Sequence, residues 1–175
     1  RDFPHEFSGG MRQRVVIAMM LAAEPDLIVA DEPTTGLDPV VQTQILDLLG
    51  ELARASGAAL LLVSHDLSAV ASRCDDLAVM YAGEVVEQGP TDQVAAAPRH
   101  PYTAGLLATS PRLDRAWAQI PGPVPDPAAP PAGCAFHPRC PHALERCHLE
   151  VPALRSVGEG RVACHLWDPG RERTP

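Results

Sequence analysis

Two short apolar runs separated by a helical repeat constrain the fold of this chain more than any other feature. The runs lie within PDLIVADEP (25–33) and ALLLVSHD (59–66). Short unbroken runs of this kind are typical of strands buried on both faces of a parallel sheet. Between them, Asp38-Pro39 is a helix start, and apolar residues at helical spacing continue to Gly57. We therefore predict that residues 27–31 and 60–64 are parallel neighbours in one sheet.

A Ser-Gly-Gly turn precedes another helical segment. Ser8, Gly9 and Gly10 lead into the mainly apolar run 11–23. A helix N-terminus presents unpaired N–H groups and the positive end of the helix dipole, and glycines let an anion approach the main chain. The turn is a candidate phosphate site, although taken alone an ordinary helix-capping turn is the simpler interpretation.

Polar residues follow both predicted strands. Asp31 and Glu32 end the first run, and Ser64 and His65 end the second. Ligands of open α/β sheets bind outside the carboxyl ends of the strands, so these side chains are expected at one edge. Such an Asp can hold Mg²⁺ and such a Glu can polarise an attacking water. Taken singly, solvated acids and a structural histidine remain the simpler alternatives.

Proline marks a change of organisation along the chain. Of the 19 prolines, four precede residue 89 and fifteen follow it. We predict a hairpin over 75–89 turning at Ala82-Gly83, and then short helices over 91–97 and 102–108. The predicted division is 1–89, a helical extension 90–118, a Pro-rich linker 119–133, a Cys-rich segment 134–168 and a tail 169–175.

Charge and hydropathy exclude several classes of protein. The net charge is −8 and no basic stripe is visible, which argues against a nucleic-acid partner. No apolar run reaches the length of a membrane-spanning helix, and nothing is typical of a signal peptide. We therefore expect a cytosolic chain whose five cysteines are thiols or ligands rather than disulfides.

The motifs FSGGMRQR, LIVADEPTTGLD and LLVSHDL, in this order, resemble the signature, Walker B with D-loop, and switch histidine of ABC-transporter ATPase subunits. The resemblance implies an α/β fold: the C-terminal part of a P-loop ABC ATPase domain, a parallel sheet with helices, plus a small Pro/Cys-rich C-terminal extension. The cofactors implied are ATP and Mg²⁺. One departure is Met11, where the family most often has Gln, and the backbone donors are unaffected by it.

The resemblance also implies roles for individual residues. Ser8, Gly9 and Gly10 would contact the γ-phosphate of ATP held by the opposite nucleotide-binding domain. Asp31 would support Mg²⁺ and Glu32 would be the general base. His65 would position the γ-phosphate and the water, and Asp38 would cross the dimer interface.

The phosphate loop G-x-x-x-x-G-K-[ST] needs a lysine, and all 14 basic residues here are arginine. We expect the C-terminal piece of a longer subunit, carrying one half of a composite site. Such a chain is not expected to turn over ATP alone.

The segments HPYTAGLLATSP (100–111) and IPGPVPDPAAPPAGCAFHPRCPHALERC (120–147) resemble the C-terminal extension of oligopeptide/dipeptide importer ATPase subunits, to which the nickel importers are close. The implied partners are a second ABC ATPase subunit, identical or homologous, two integral membrane permease subunits and, indirectly, an extracytoplasmic solute-binding protein. The implied location is the cytoplasmic face of the cell membrane.

Four cysteines of the extension form a candidate metal site: Cys134, Cys140, Cys147 and Cys164. Their spacings are not the tight pairs of zinc ribbons, but four thiolates can hold a [4Fe–4S] cluster or zinc. Some members of the importer family that this segment resembles carry a [4Fe–4S] cluster in the same extension. A segment with few large apolar residues cannot build much of a core, and a metal would supply order. Unligated thiols or a disulfide remain the alternatives, and the nearby histidines are expected at the surface.

Two other functions are compatible with parts of the pattern. A non-transport ABC ATPase shares the signature and Walker B motifs, although the pattern from His100 to Cys147 speaks against it. The second alternative is a metal-binding or dimerisation module that has no ATP turnover of its own. The absence of a phosphate loop from this sequence is compatible with such a module.

Overall fold

The computed structural model describes residues 3–109, 120–126 and 128–169. Contacts divide the chain into two compact units, Arg1–Arg73 and Cys74–Pro175. The predicted division placed a boundary near residue 89 instead. The hairpin expected at the end of the first segment therefore belongs to the second unit. Residues 110–119 and 170–175, parts of the predicted helical extension, linker and tail, lie outside the described residues.

The first unit is a βαβ arrangement with one further helix at each end. Its elements are α1 (Gly9–Leu21), β1 (Leu27–Asp31), α2 (Pro39–Ser56), β2 (Ala59–Val63) and α3 (Leu67–Ala71), after a 3₁₀ turn over Pro4–Glu6. Strands β1 and β2 are parallel, with Leu27 opposite Ala59 and Asp31 opposite Val63. The predicted parallel pair is confirmed, with β2 beginning one residue early.

Local signals determine where α2 begins and ends. The Asp38 carboxylate accepts hydrogen bonds from the N–H groups of Val40 and Val41, both at 3.1 Å. Pro39 occupies the first helical position, where a missing N–H has no cost. Gly57 ends the helix in the left-handed conformation, at φ 74°.

The core of the first unit lies on one face of the two-stranded sheet. Ile17, Ala30, Ile45 and Leu49 form its buried centre. The other face is apolar but exposed in the described residues, at Leu27, Val29, Leu61 and Val63. The prediction that the strands are buried on both faces is therefore met on one face only, because α1 and α2 supply core residues to a single side.

The second unit is built on an antiparallel sheet. Strands β3 (Asp76–Tyr81) and β4 (Glu84–Pro90) form the predicted hairpin. The turn residues Ala82 and Gly83 both have positive φ, which suits a two-residue hairpin turn. Helices α4 (Thr91–Ala96) and α5 (Pro101–Thr109) follow, near their predicted positions.

The Cys-rich segment joins this sheet. Its strands β5 (Arg155–Val157) and β6 (Gly160–Val162) extend the strand order to β3-β4-β6-β5, with Glu87 opposite Val162. Three 3₁₀ turns complete it, over His137–Arg139, Glu145–His148 and His165–Trp167. The linker residues 120–126 and 128–133 contain no helix or strand.

Phe136 gives this segment an apolar anchor. Its side chain is buried and its ring packs against Tyr81, Tyr102 and His100, with centroids 5.2, 5.4 and 5.7 Å away. The packing that the segment does have comes from strand pairing and from this one aromatic cluster. Among the described helices, none is long and apolar enough to span a bilayer.

Candidate functional site

The carboxyl ends of β1 and β2 bring Glu32 and His65 into direct contact. The His65 Nδ1 atom lies 2.9 Å from each oxygen of the Glu32 carboxylate. The backbone N–H of His65 donates to Glu32 Oε1, also at 2.9 Å. The Glu32 N–H donates to the carbonyl of Val63, which extends the ladder past the strand end. Glu32 has φ 45°, an unusual conformation for a non-glycine residue and one that recurs at functional sites.

Each member of this pair favours the charged form of the other. The hydrogen bond from His65 lowers the pKa of Glu32, against a smaller opposing effect of burial. The hydrogen bond and charge of Glu32 raise the pKa of His65 above its ordinary 6.5. The His65 side chain is 85% exposed and that of Glu32 is 35% exposed, so water can reach both. The pair can therefore hold a carboxylate ionised and oriented at the sheet edge.

Thr35 is a contact of this site that the sequence interpretation missed. A side-chain hydrogen bond from Thr35 also lowers the pKa of Glu32, and the Thr35 N–H donates to the Glu32 carbonyl at 3.2 Å. The signal that could have found it is the position of a hydroxyl residue three places after the acid, inside a turn.

Asp31 is the exposed final residue of β1, directly before Glu32. Within residues 3–109, 120–126 and 128–169, no group of three or more His, Cys, Asp or Glu side chains is arranged to hold a metal ion.

Ser8 and the two glycines form the N-terminus of α1. Ser8 is the N-cap, and its Oγ accepts a hydrogen bond from the Met11 N–H at 3.3 Å. The hydroxyl hydrogen of Ser8 remains available for an acceptor. The glycines also have a packing role that the sequence interpretation missed. A Cβ at Gly9 would lie 3.0 Å from a methyl of Leu37, and one at Gly10 would lie 2.9 Å from a methyl of Val41.

The four cysteines of the predicted metal site do not form a metal-holding group among the residues that the structure describes. None of its four cysteines forms a disulfide, and the Cys134 N–H donates to the Cys147 carbonyl at 2.8 Å. Burial raises the pKa of the Cys134 and Cys140 thiols. Burial also raises the pKa of Cys164, to about 12. Other cysteines of the set add to each of these three shifts. The thiols are therefore near one another, yet they do not form a metal-holding group in the described structure.

The histidines near these cysteines have structural contacts. His165 is 4% exposed, and its ring nitrogens lie 2.9 Å from an Asp168 oxygen and 3.0 Å from the Glu150 carbonyl. The expectation that it is a surface residue is corrected. The Nδ1 atom of His137 lies 2.9 Å from the Cys134 carbonyl. Cys74, outside this set, is half-buried.

Glu87 and His100 are buried polar residues that the sequence interpretation missed. Glu87 is 0% exposed, and its two oxygens accept the N–H groups of Arg99 and His100 at 2.7 and 2.9 Å. These two bonds join β4 to the residues directly before α5. A glutamate inside a strand, directly after Val85 and Val86, was the available signal, but periodicity alone cannot identify its partners.

Comparisons with known proteins found matches to family models in two parts of the chain. Residues 1–35 match the family model described as ABC transporter, and residues 86–147 match that of the oligopeptide/dipeptide transporter C-terminal region. A solved structure of cbiO1 from Clostridium perfringens, part of the ABC transporter complex cbiONQ, has a TM-score of 0.51 and 38% identity. That match covers 54% of this chain and 38% of the other.

Curated relatives are similar along almost the whole chain. A putative peptide import ATP-binding protein of Brucella ovis is 52% identical, over 95% of this chain and 52% of its own length. The oligopeptide transport ATP-binding protein OppD of Salmonella typhimurium is 51% identical, over 93% and 49%. The dipeptide transport ATP-binding protein DppD of Escherichia coli is 48% identical, over 97% and 54%. The chain thus spans about half the length of these relatives. It belongs to the family of ABC-transporter ATP-binding proteins that carry the oligopeptide/dipeptide transporter C-terminal region.

Proposed function

We propose that this chain is part of an ATP-hydrolysing subunit that energises ABC-type import of peptides across the cytoplasmic membrane. The observation that carries the proposal is the contact of Glu32 with His65 at the carboxyl ends of two parallel strands. The relatives named for peptide import support the substrate class. The match to the oligopeptide/dipeptide C-terminal region favours an importer over an ABC ATPase that moves no solute.

The geometry suits Glu32 to act as the general base. Its carboxylate is ionised and oriented by His65, and enough of it is exposed to contact a water molecule. His65 is exposed enough to reach a phosphate oxygen as well. Asp31 would hold Mg²⁺, which supplies charge neutralisation on the phosphates when ATP is bound.

Ser8, Gly9 and Gly10 are proposed to bind the γ-phosphate of ATP held by a second ATPase subunit. The first N–H groups of α1 and the hydroxyl hydrogen of Ser8 are the donors for such a contact. Asp38, exposed at the N-terminus of α2, is proposed to lie at the interface between the two subunits.

The proposed partners follow from the same function. They are a second ATPase subunit, identical or homologous, two integral membrane permease subunits and, indirectly, an extracytoplasmic solute-binding protein. The proposed location is the cytoplasmic face of the cell membrane, on the permease subunits. No nucleic acid is involved.

The experiment compares Glu32→Gln with the control Glu51→Gln in a complete subunit that includes a phosphate-loop lysine. Gln keeps an acceptor for His65 but loses the basic carboxylate, so we expect ATP turnover to fall roughly a hundredfold. The variant should also accumulate as an ATP-bound dimer in size-exclusion chromatography. Glu51 is an exposed residue of α2, and its variant should retain normal turnover. Turnover of Glu32→Gln within a few-fold of the unchanged protein would refute the role of Glu32.

We propose separately that Cys134, Cys140, Cys147 and Cys164 bind a [4Fe–4S] cluster or a zinc ion. What supports it is that burial raises the pKa of the Cys164 thiol, and that the nearby Cys140, Cys134 and Cys147 raise it further. The described arrangement does not itself hold a metal, so no step of the mechanism involves one. Iron, acid-labile sulfide and zinc should be measured per chain after anaerobic purification. Four irons with four sulfides per chain, or one zinc, would support metal binding by these cysteines. The metal should then be lost in Cys140→Ser and retained in Cys74→Ser. Metal-free protein would rule it out.

A further inference from the structure

The chain between Glu32 and helix α2 forms a tight turn. The Thr35 N–H donates to the Glu32 carbonyl and the Leu37 N–H donates to the Thr34 carbonyl, both at 3.2 Å. Glu32 itself has a φ of 45°. A non-glycine residue keeps such a conformation only where the surrounding structure holds it in place. The turn over residues 34–37 is therefore expected to depend on contacts from outside it.

The side chain of Gln42, near the start of α2, supplies such contacts. Its Nε2 atom donates to the Leu37 carbonyl at 3.0 Å and, in a longer and weaker bond, to the Thr34 carbonyl at 3.4 Å. Because both partners are acceptors, the NH₂ end of the amide must face them. Helical side chains lean towards the N-terminus of their helix, which is why Gln42 reaches back to the turn. One half-buried side chain thus holds both ends of turn 34–37.

Turn 34–37 contacts the Glu32 carboxylate on one side and helix α1 on the other. The side chain of Thr35, inside the turn, forms a hydrogen bond with Glu32 that lowers the pKa of Glu32. A methyl of Leu37 packs so closely on Gly9 that a Cβ there would lie 3.0 Å from it. A shift of the two carbonyls held by Gln42 would therefore move Thr35, which lies between them, relative to the carboxylate.

We propose that Gln42 is a positioning residue for the general base: it holds turn 34–37 so that Thr35 fixes the Glu32 carboxylate. The inference rests on the proposed role of Glu32 in ATP hydrolysis, and Gln42 acts only through the turn and Glu32. Loss of the two hydrogen bonds of Gln42 lets the turn relax. A base that is displaced from its position activates water less effectively.

The test measures ATP turnover in a complete subunit that includes a phosphate-loop lysine. Gln42→Met keeps the length of the side chain but removes both donors, so we expect kcat to fall roughly five- to tenfold, the size of one lost hydrogen bond. The control Gln44→Met makes the same change at an exposed position of the same helix and should keep kcat within about twofold. If Gln42→Met does not fold, Gln42→Glu replaces it, because an ionised glutamate has the same shape and no donor; the same loss is expected.

A double variant separates positioning from a general loss of structure. Because Gln42 acts through Glu32, adding Gln42→Met to Glu32→Gln should lower turnover by less than about twofold further, whereas independent effects would multiply. NMR of the subunit isotope-labelled at histidine gives a direct readout, because the His65 N–H donates to Glu32 Oε1. This signal should move in Gln42→Met in the same direction as in Glu32→Gln, and it should not move in Gln44→Met.

The outcomes distinguish the two roles. Normal kcat in a folded Gln42 variant, multiplied losses in the double variant, or an unmoved His65 signal would overturn the role of Gln42 while leaving that of Glu32 intact. Normal turnover in Glu32→Gln would instead refute the proposed role of Glu32, and the role of Gln42 with it.

Discussion

Acidification should destabilise the second unit through His100. This imidazole is buried and uncharged, and burial lowers its pKa from 6.5 to about 4. An unfolded chain binds the proton at its ordinary pKa, whereas the folded chain does not. The stability associated with the neutral ring is therefore fully present above pH 6.5 and is lost as the pH falls towards 4.

The size of the effect follows from the two pKa values. With 6.5 unfolded and about 4 folded, proton linkage removes about 2 kcal/mol of unfolding free energy between pH 7 and pH 5, and about 3 kcal/mol by pH 4. Protonation of other groups in the chain also contributes to acid unfolding over this range. A variant at residue 100 that does not titrate is therefore needed as the reference.

The assay compares urea unfolding of the unchanged chain and His100→Asn at pH 7, 5 and 4. Asn keeps an acceptor for the Tyr102 N–H but has no ionisable group. Trp167 is a suitable fluorescent probe because its Nε1–H donates to the Arg99 carbonyl, next to His100. We expect the stability difference between the two proteins to change by about 2 kcal/mol from pH 7 to pH 5. A difference independent of pH would refute the assignment of a buried neutral imidazole.

Three further predictions test other parts of the structure. In an NMR titration, the pKa of His65 should lie above 6.5 and return towards its ordinary value in Glu32→Gln. The charge attraction exists only above the lowered pKa of Glu32 and below the raised pKa of His65, and an unchanged titration would refute the contact. Gly133→Ala should reduce the unfolding free energy by at least about 2 kcal/mol more than Gly57→Ala. Both glycines have positive φ, but only at Gly133 would a Cβ meet the Cys147 carbonyl, so equal losses in urea unfolding would contradict this packing. Ile45→Ala should lower the unfolding free energy by about 2–5 kcal/mol, because Ile45 is 0% exposed. Val40→Ala, at an exposed position, should change the unfolding free energy by less than about 0.5 kcal/mol. Similar losses in the two variants would place Ile45 outside the core.

The elements of the first unit were predictable because each carries its own local signal. Asp38-Pro39 and Gly57 mark the ends of α2 through bonds that span only a few residues. The meeting of Glu32 and His65 was predictable as well, because parallel strands place their carboxyl ends at one edge. The role of Thr35 was not predicted, since a hydroxyl in a turn has several possible partners.

Burial was predicted less well than secondary structure. The apolar runs of β1 and β2 predict strands whether one face of the sheet or both faces are buried. Which face is buried depends on where the other elements of the fold pack. In the described residues α1 and α2 pack on one face, and Val29 and Leu61 on the other face are exposed. The same limitation applies to Gly9 and Gly10, whose contacts with Leu37 and Val41 depend on the packing of distant residues.

The sequence by itself determined the helix caps, the parallel pair, the hairpin turn and the identity of the groups at the strand ends, because these depend on near neighbours and on strand direction. Only the tertiary structure decided that Val162 pairs with Glu87, that Phe136 packs on Tyr81, and that His100 is buried. Strands β5 and β6 are three residues each, too short for a periodic pattern. Their pairing is stabilised by contacts between residues far apart along the chain, and such contacts leave no local signal.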